Sequence, residues 1–135
     1  MTDLTNIKFT ANKAAQSRPD HYLDVNVNAR AIIESWKSSL FSHEWLSPEG
    51  RIKDLKELPA SEQSKRENVE LALANAQEIA KPILGIGLLE NVEIGSGKAE
   101  FLTLAALGLD KIPVHIPKSN ESDFKDFICD VNLDA

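Results

Sequence analysis

Apolar residues recur along this chain in several distinct rhythms. From Asn28 to about Trp45, Ala29, Ile32, Trp36 and Leu40 return at spacings of three and four, which predicts an amphipathic helix with Asn28 as its cap. Ahead of it, residues 1–20 are polar and mixed and read as an arm. A short strand is expected at Ile7-Lys8-Phe9, and Pro19-Asp20 marks a boundary. Ser47-Pro48-Glu49-Gly50 predicts a turn. The charged stretch RIKDLKELP (51–59) reads as a loop with one irregular turn. Ser64 and Glu67 fit a capping box, in which a Ser and a Glu satisfy each other's orphan backbone donors. The helix expected from there to about Ala80 places Val69, Ala72, Leu73, Ala76 and Ala80 on one face, and Pro82 closes it.

After Pro82 the rhythm shortens. ILGIGLL (83–89) predicts an apolar strand, Glu90-Asn91 a turn, and VEI (92–94) a second strand. From about Lys98 to Leu107 the chain is apolar nearly all round, as in a helix buried on several sides. Gly108 supplies its stop. IPVHI (112–116) predicts a third strand. A last helix is expected from Asn120 or Ser122, with Phe124, Phe127, Ile128 and Val131 as its packing face. The expected fold class is α+β, a small mixed sheet with packed helices.

The junction Gly95-Ser96-Gly97-Lys98 joins a strand to the buried helix. A helix start carries unsatisfied N–H groups and a partial positive charge. Two glycines let a ligand approach the backbone, Ser96 adds a hydroxyl and Lys98 a full charge, so the four residues form a candidate anion or phosphate site. The junction lacks the spacing of a Walker A motif and the third glycine of a dinucleotide fingerprint. The same glycines also serve a tight strand-to-helix turn with no ligand, and both readings stand. His115, on the expected third strand, either faces a ligand or belongs to the core. Glu93 is expected to face solvent. Asp123 and Asp126 are expected on a solvated helix face, and Cys129 in packing. Trp36 and Trp45 are either core residues or anchors for a partner.

Composition narrows this further. A chain of 135 residues with 42% hydrophobic residues suits one domain with its own core. Its net charge of −6 argues against extended nucleic-acid binding, which needs clustered Lys and Arg. One cysteine gives no disulfide framework, and the scattered His21, His43 and His115 give no metal constellation. The N-terminal stretch has no apolar core of a signal peptide, and no run is long enough to span a membrane, so a cytoplasmic setting is expected.

The order PILGIGLLENVEIGSGKAEFLTLAALGLDKIPVHI resembles the core of the ParB/sulfiredoxin superfamily. There a strand ends in a Gly-x-x-Arg type box, a buried helix follows, and a Leu-Gly-x-x-x-Ile-Pro-Val turn leads into a strand. Here the box is Gly95 to Lys98 and the turn is Leu107 to Val114. The tail KSNESDFKDFI is similar to the start of the final sulfiredoxin helix. The resemblance covers about residues 66–131, leaving 1–65 as an N-terminal arm and helical extension of a single domain, 1–135.

It implies a nucleotide or phosphate ligand, ATP or CTP with Mg²⁺, at Gly95, Ser96, Gly97 and Lys98. Lys118 and Ser119 would be further contacts and His115 a ligand-facing residue, with weak NTPase activity as one outcome. The chain departs from the family pattern in placing Lys98 where the arginine stands and Ser96 where the sulfiredoxin cysteine stands. A serine cannot form the thiosulfinate, so sulfinic-acid reduction is not expected. Two alternatives follow: a non-enzymatic adaptor or inhibitor of the mobile-element type, acting through protein contacts, and a ParB-like nuclease.

Overall fold

A computed structural model of the protein describes residues 6–131. Its elements run β1 (Phe9–Thr10), α1 (Lys13–Gln16), β2 (Tyr22–Asn28), α2 (Ala29–Trp36), α3 (Ala60–Ala74), β3 (Ile79–Ala80), β4 (Ile83–Ile86), β5 (Val92–Ser96), α4 (Lys98–Ala106), β6 (Lys111–Pro117) and β7 (Ile128–Val131). The protein is α+β, as the patterning predicts. Its main sheet has five strands in the order β5-β4-β6-β2-β7, and β1 pairs with β3 in a separate two-stranded sheet. The main sheet is mixed: β4 and β6 are parallel, and the other neighbours are antiparallel.

Strand β2 stands where no element is expected from the sequence. In YLDVNVN, Leu23, Val25 and Val27 alternate with polar residues, the period of a strand with one buried face. Asp and Asn disfavour strands, yet here they occupy the other face. Val25 and Val27 are fully buried, and β2 lies between β6 and β7. The hydrophobic core therefore draws on both halves of the chain: Val25, Ile32, Trp36 and Trp45 with Leu84, Phe101, Leu104, Val114 and Phe124. Both tryptophans are core residues.

Five local expectations need correction. Helix α2 ends at Trp36, not near Trp45. Ser39 and Ser42 end it: the Ser42 hydroxyl donates to the Lys37 and Ser39 carbonyls, and Ser39 Oγ accepts from Phe41 N–H. Serine hydroxyls compete in this way with the helix ladder. Asn28 does cap α2, its side chain accepting from Ala31 N–H at 2.9 Å.

Helix α3 begins at Ala60, so the expected capping box at Ser64 lies inside the helix. Pro59 sets the start, and its carbonyl accepts from both Glu62 and Gln63. The helix stops at Ala74, and Ala76 takes a left-handed φ of 55°, which frees Ile79-Ala80 to pair with β1. The expected final helix is absent. A short 3₁₀ turn at Lys118–Asn120 leads through further turns to β7, which pairs with β2. Phe124 reaches the core from those turns, while Cys129 is exposed rather than packed.

Helix α4 matches its expectation. Ala99, Phe101, Leu102, Thr103 and Leu104 are all buried, and Gly108 follows with φ 104°.

Candidate functional site

The strand-to-helix junction is built by one of its two glycines. Gly97 caps α4 with φ 80°, the left-handed region where a Cβ is strained. A Cβ there would also sit 3.0 Å from Pro82 Cα. Gly95 has no such constraint: its nearest neighbour would be the Ile83 carbonyl at 3.6 Å. Gly95 lies where the β4–β5 register slips, with Leu84 opposite Ile94 but Ile83 opposite Ser96. Turn geometry thus accounts for Gly97 without a ligand, and the bulge falls at Gly95.

Lys98 does not stand free at this junction. Its Nζ is 3.2 Å from Glu62 Oε1 and 3.6 Å from Glu44 Oε1. Glu62 is the hub, with a side chain only 5% exposed. It accepts from the Trp45 indole N–H at 2.8 Å and from Lys65 at 3.0 Å. Burial alone would raise the Glu62 carboxyl, but the bonds from Trp45, Lys65 and Lys98 outweigh it and hold the pKa at about 2. Two lysines are thereby neutralised by two glutamates. An incoming phosphate would have to compete with Glu62 for Lys98.

Beside this cluster, lined by Lys65 and Lys98 but not by Glu62 itself, opens a groove of about 680 Å³. One wall is β5 from Glu93 to Ser96, continuing through Gly97 into the first turn of α4. The facing wall is α3, with Lys65, Asn68, Val69 and Ala72. Residues 78–80 close one side, Phe41 adds apolar surface, and the buried Trp36 lies behind the wall. Phe41 and its neighbour Leu40 are exposed. Glu93 does not simply face solvent as expected. It is half-buried and accepts from Ser39 Oγ at 2.7 Å and Asn91 Nδ2 at 3.0 Å.

The remaining expected site residues lie elsewhere. Lys118 and His115 line a second cavity of about 450 Å³ with Tyr22 and Asp24. Ser119 is exposed and lines neither space. His115 is buried and fully engaged. Its Nδ1 is 2.6 Å from Asp24 Oδ1, and its Nε2 accepts from the Asn12 backbone N–H at 3.0 Å. That pair of bonds requires a neutral ring with the proton on Nδ1. Burial lowers its pKa, Lys81 lowers it further, and Asp24 works the other way. Asn12 also joins the two cavities, donating from Nδ2 to Ser96 Oγ at 3.2 Å and to the Lys81 carbonyl at 3.1 Å.

Of the residues expected at the site, Gly95, Ser96, Gly97 and Lys98 line the groove, Lys118 lines the second cavity, and Ser119 lines neither. Glu62, Asn12 and Asp24 were missed. The Glu62–Lys65 spacing on a helix was a readable signal. Asp24 becomes visible only once β2 is recognised, because it then pairs directly with His115 across the sheet.

Among the described residues, no group of three or more His, Cys, Asp or Glu is arranged to hold a metal ion, and no helix is long and apolar enough to cross a membrane. Compared with known proteins, the chain matches no family model, no curated protein and no solved structure.

Proposed function

We propose that this protein is a non-enzymatic binding module that acts through protein contacts, with the groove between β5 and α3 as its binding site. One observation carries the reading: Lys98 is already neutralised by Glu62 and Glu44, so the groove beside the junction offers a shaped cleft rather than a free cation. Its volume of about 680 Å³ lies in the range of ligand-holding clefts, roughly 300–1,000 Å³. Ile94 and Phe41 supply apolar surface, and Asn68 and Ser96 supply polar groups. The single cysteine, which leaves no intrachain disulfide, supports a cytoplasmic setting.

The test is selection from a random peptide library displayed on phage, followed by NMR mapping of the enriched peptides on the labelled protein. Amide shifts concentrated on Glu93–Glu100 and the groove face of α3 are the expected result. Failure to enrich any peptide that maps there would sink the reading.

A second reading keeps the ParB/sulfiredoxin resemblance, with a nucleotide and Mg²⁺ at Gly95–Lys98. It is favoured by the opening of the α4 N-terminus directly onto the groove, where Gly97 supplies no side-chain cap. It requires the triphosphate to draw Lys98 away from Glu62. It also has to place phosphates beside Glu93 and Glu100.

A further inference from the structure

Strand β5 is an edge of the main sheet, and its edge is covered at one end only. The bond from Gly87 N–H to the Asn91 carbonyl, 2.9 Å, fixes the alternation of the β4–β5 hairpin. Residues 91 and 93 turn their backbone groups toward β4, so residues 92 and 94 turn theirs outward. At Val92 the outward groups are taken by side chains: the N–H donates to Ser35 Oγ at 2.8 Å, and the carbonyl accepts from Asn91 Nδ2 at 2.8 Å. At Ile94, two residues on, neither group has a partner outside the sheet among the described residues. The groove begins there: Ile94 lines it and Val92 does not. Exposed strand edges are usually blocked, because they template pairing with another chain. Here the block stops where the cleft opens.

The charges of the groove are equally one-sided. Lys65 and Lys98 are spent on Glu62 and Glu44. Glu78, Glu93 and Glu100 line the same groove and have no cationic partner among the described residues. The bonds that Glu93 accepts come from neutral groups and leave its charge in place.

We infer that the occupant of this groove is an extended, lysine- or arginine-bearing segment of a partner protein, which adds as a strand to β5 at Ile94 with its cationic side chains beside Glu78, Glu93 and Glu100. The inference rests on the binding-module reading above and specifies the ligand of that same site. Strand addition of this kind takes affinity from main-chain hydrogen bonds and specificity from alternate side chains. Phe41 and Ile94 meet the apolar side chains of the segment, and the three carboxylates exclude acidic ones.

Peptides enriched by the phage selection provide the probe. The expected result has three parts. The enriched sequences carry Lys or Arg at alternate positions. Methylating the peptide's alternate backbone nitrogens on one edge abolishes binding, while methylating the other edge does not. The Ile94 amide, followed by hydrogen exchange, slows when peptide is bound.

Replacing Glu93 and Glu100 together by Gln should weaken binding about tenfold. It should also flatten the dependence on salt. Ser35→Ala, which touches only the covered end, should leave affinity unchanged. Groove-binding peptides without a basic bias, or peptides indifferent to methylation on either edge, would overturn this inference and leave the binding module standing. Enrichment of nothing that maps to the groove would overturn both.

Discussion

Glu62 is the residue on which the junction depends. It sits on α3, yet it holds Trp45 from the preceding loop and Lys98 from α4, so one carboxylate ties three segments. Glu62→Ala would leave a buried indole N–H unpaired, at a cost of about 2 kcal/mol by chemical denaturation. Lys65→Ala, on the exposed side of the same cluster, should cost under about 1 kcal/mol. The Glu62 carboxyl lies at about 2 in the folded protein against a usual 4.5, so its contribution is complete above pH 4.5 and is lost as pH falls toward 2. Glu62→Gln should therefore start less stable at neutral pH and lose less on acidification than the wild type. Parallel curves for the two would contradict the assignment.

The two glycines separate by the same reasoning. Gly97→Ala forces a Cβ into the left-handed region against Pro82 and should cost about 1–2 kcal/mol. Gly95→Ala meets only ordinary contact and should change stability by less than about 0.5 kcal/mol. Equal losses in thermal unfolding would show that the bulge at Gly95 is as demanding as the cap at Gly97.

At the scale of elements, the N-terminal segment is held by a side chain from the middle of the sheet. His115 on β6 accepts from Asn12, which caps α1 next to β1. The ring is faced by Asp24, Lys81 and Tyr22. Its folded pKa lies below the usual 6.5, so the neutral form stabilises the fold above pH 6.5, and that contribution fades as pH falls through the folded value. Hydrogen exchange should show protection of Phe9–Gln16 declining below pH 6.5 in the wild type, and low at every pH in His115→Ala. Unchanged protection in the variant would show that the β1–β3 pairing alone fixes the segment.

The same scale shows what the sequence made legible. Helix α4 and strands β5 and β6 were readable because their apolar rhythm and their glycine and proline stops agree, whereas the strand expected over 83–89 ends at Ile86 and leaves Leu88 and Leu89 exposed in the turn. Strand β2 was not assigned, because its polar positions are Asp and Asn, residues more often met in turns. The final segment failed for the opposite reason. Phe124, Phe127, Ile128 and Val131 carry a helical spacing, but pairing with β2 recruits Ile128–Val131 into the sheet. The candidate site was half legible. The glycine-lysine junction could be read, whereas the neutralisation of Lys98 depends on Glu44 and Glu62, which only tertiary packing brings to it.

For the whole molecule, the net charge of −6 and the groove's three glutamates accord with the basic partner we infer. The edge of β5 and the face of α3 line one cleft. The α4 N-terminus opens into that cleft as well, which is why a triphosphate and a peptide segment compete as accounts of it. The most direct measurement is a pair of NMR titrations of the same labelled protein, one with a selected basic peptide and one with CTP and ATP in the presence of Mg²⁺. The account predicts saturable shifts at Ile94–Lys98 and along α3 with the peptide, and none with either nucleotide. Saturable nucleotide shifts centred on Gly97–Glu100, lost in Lys98→Ala, with no response to the peptide, would contradict it.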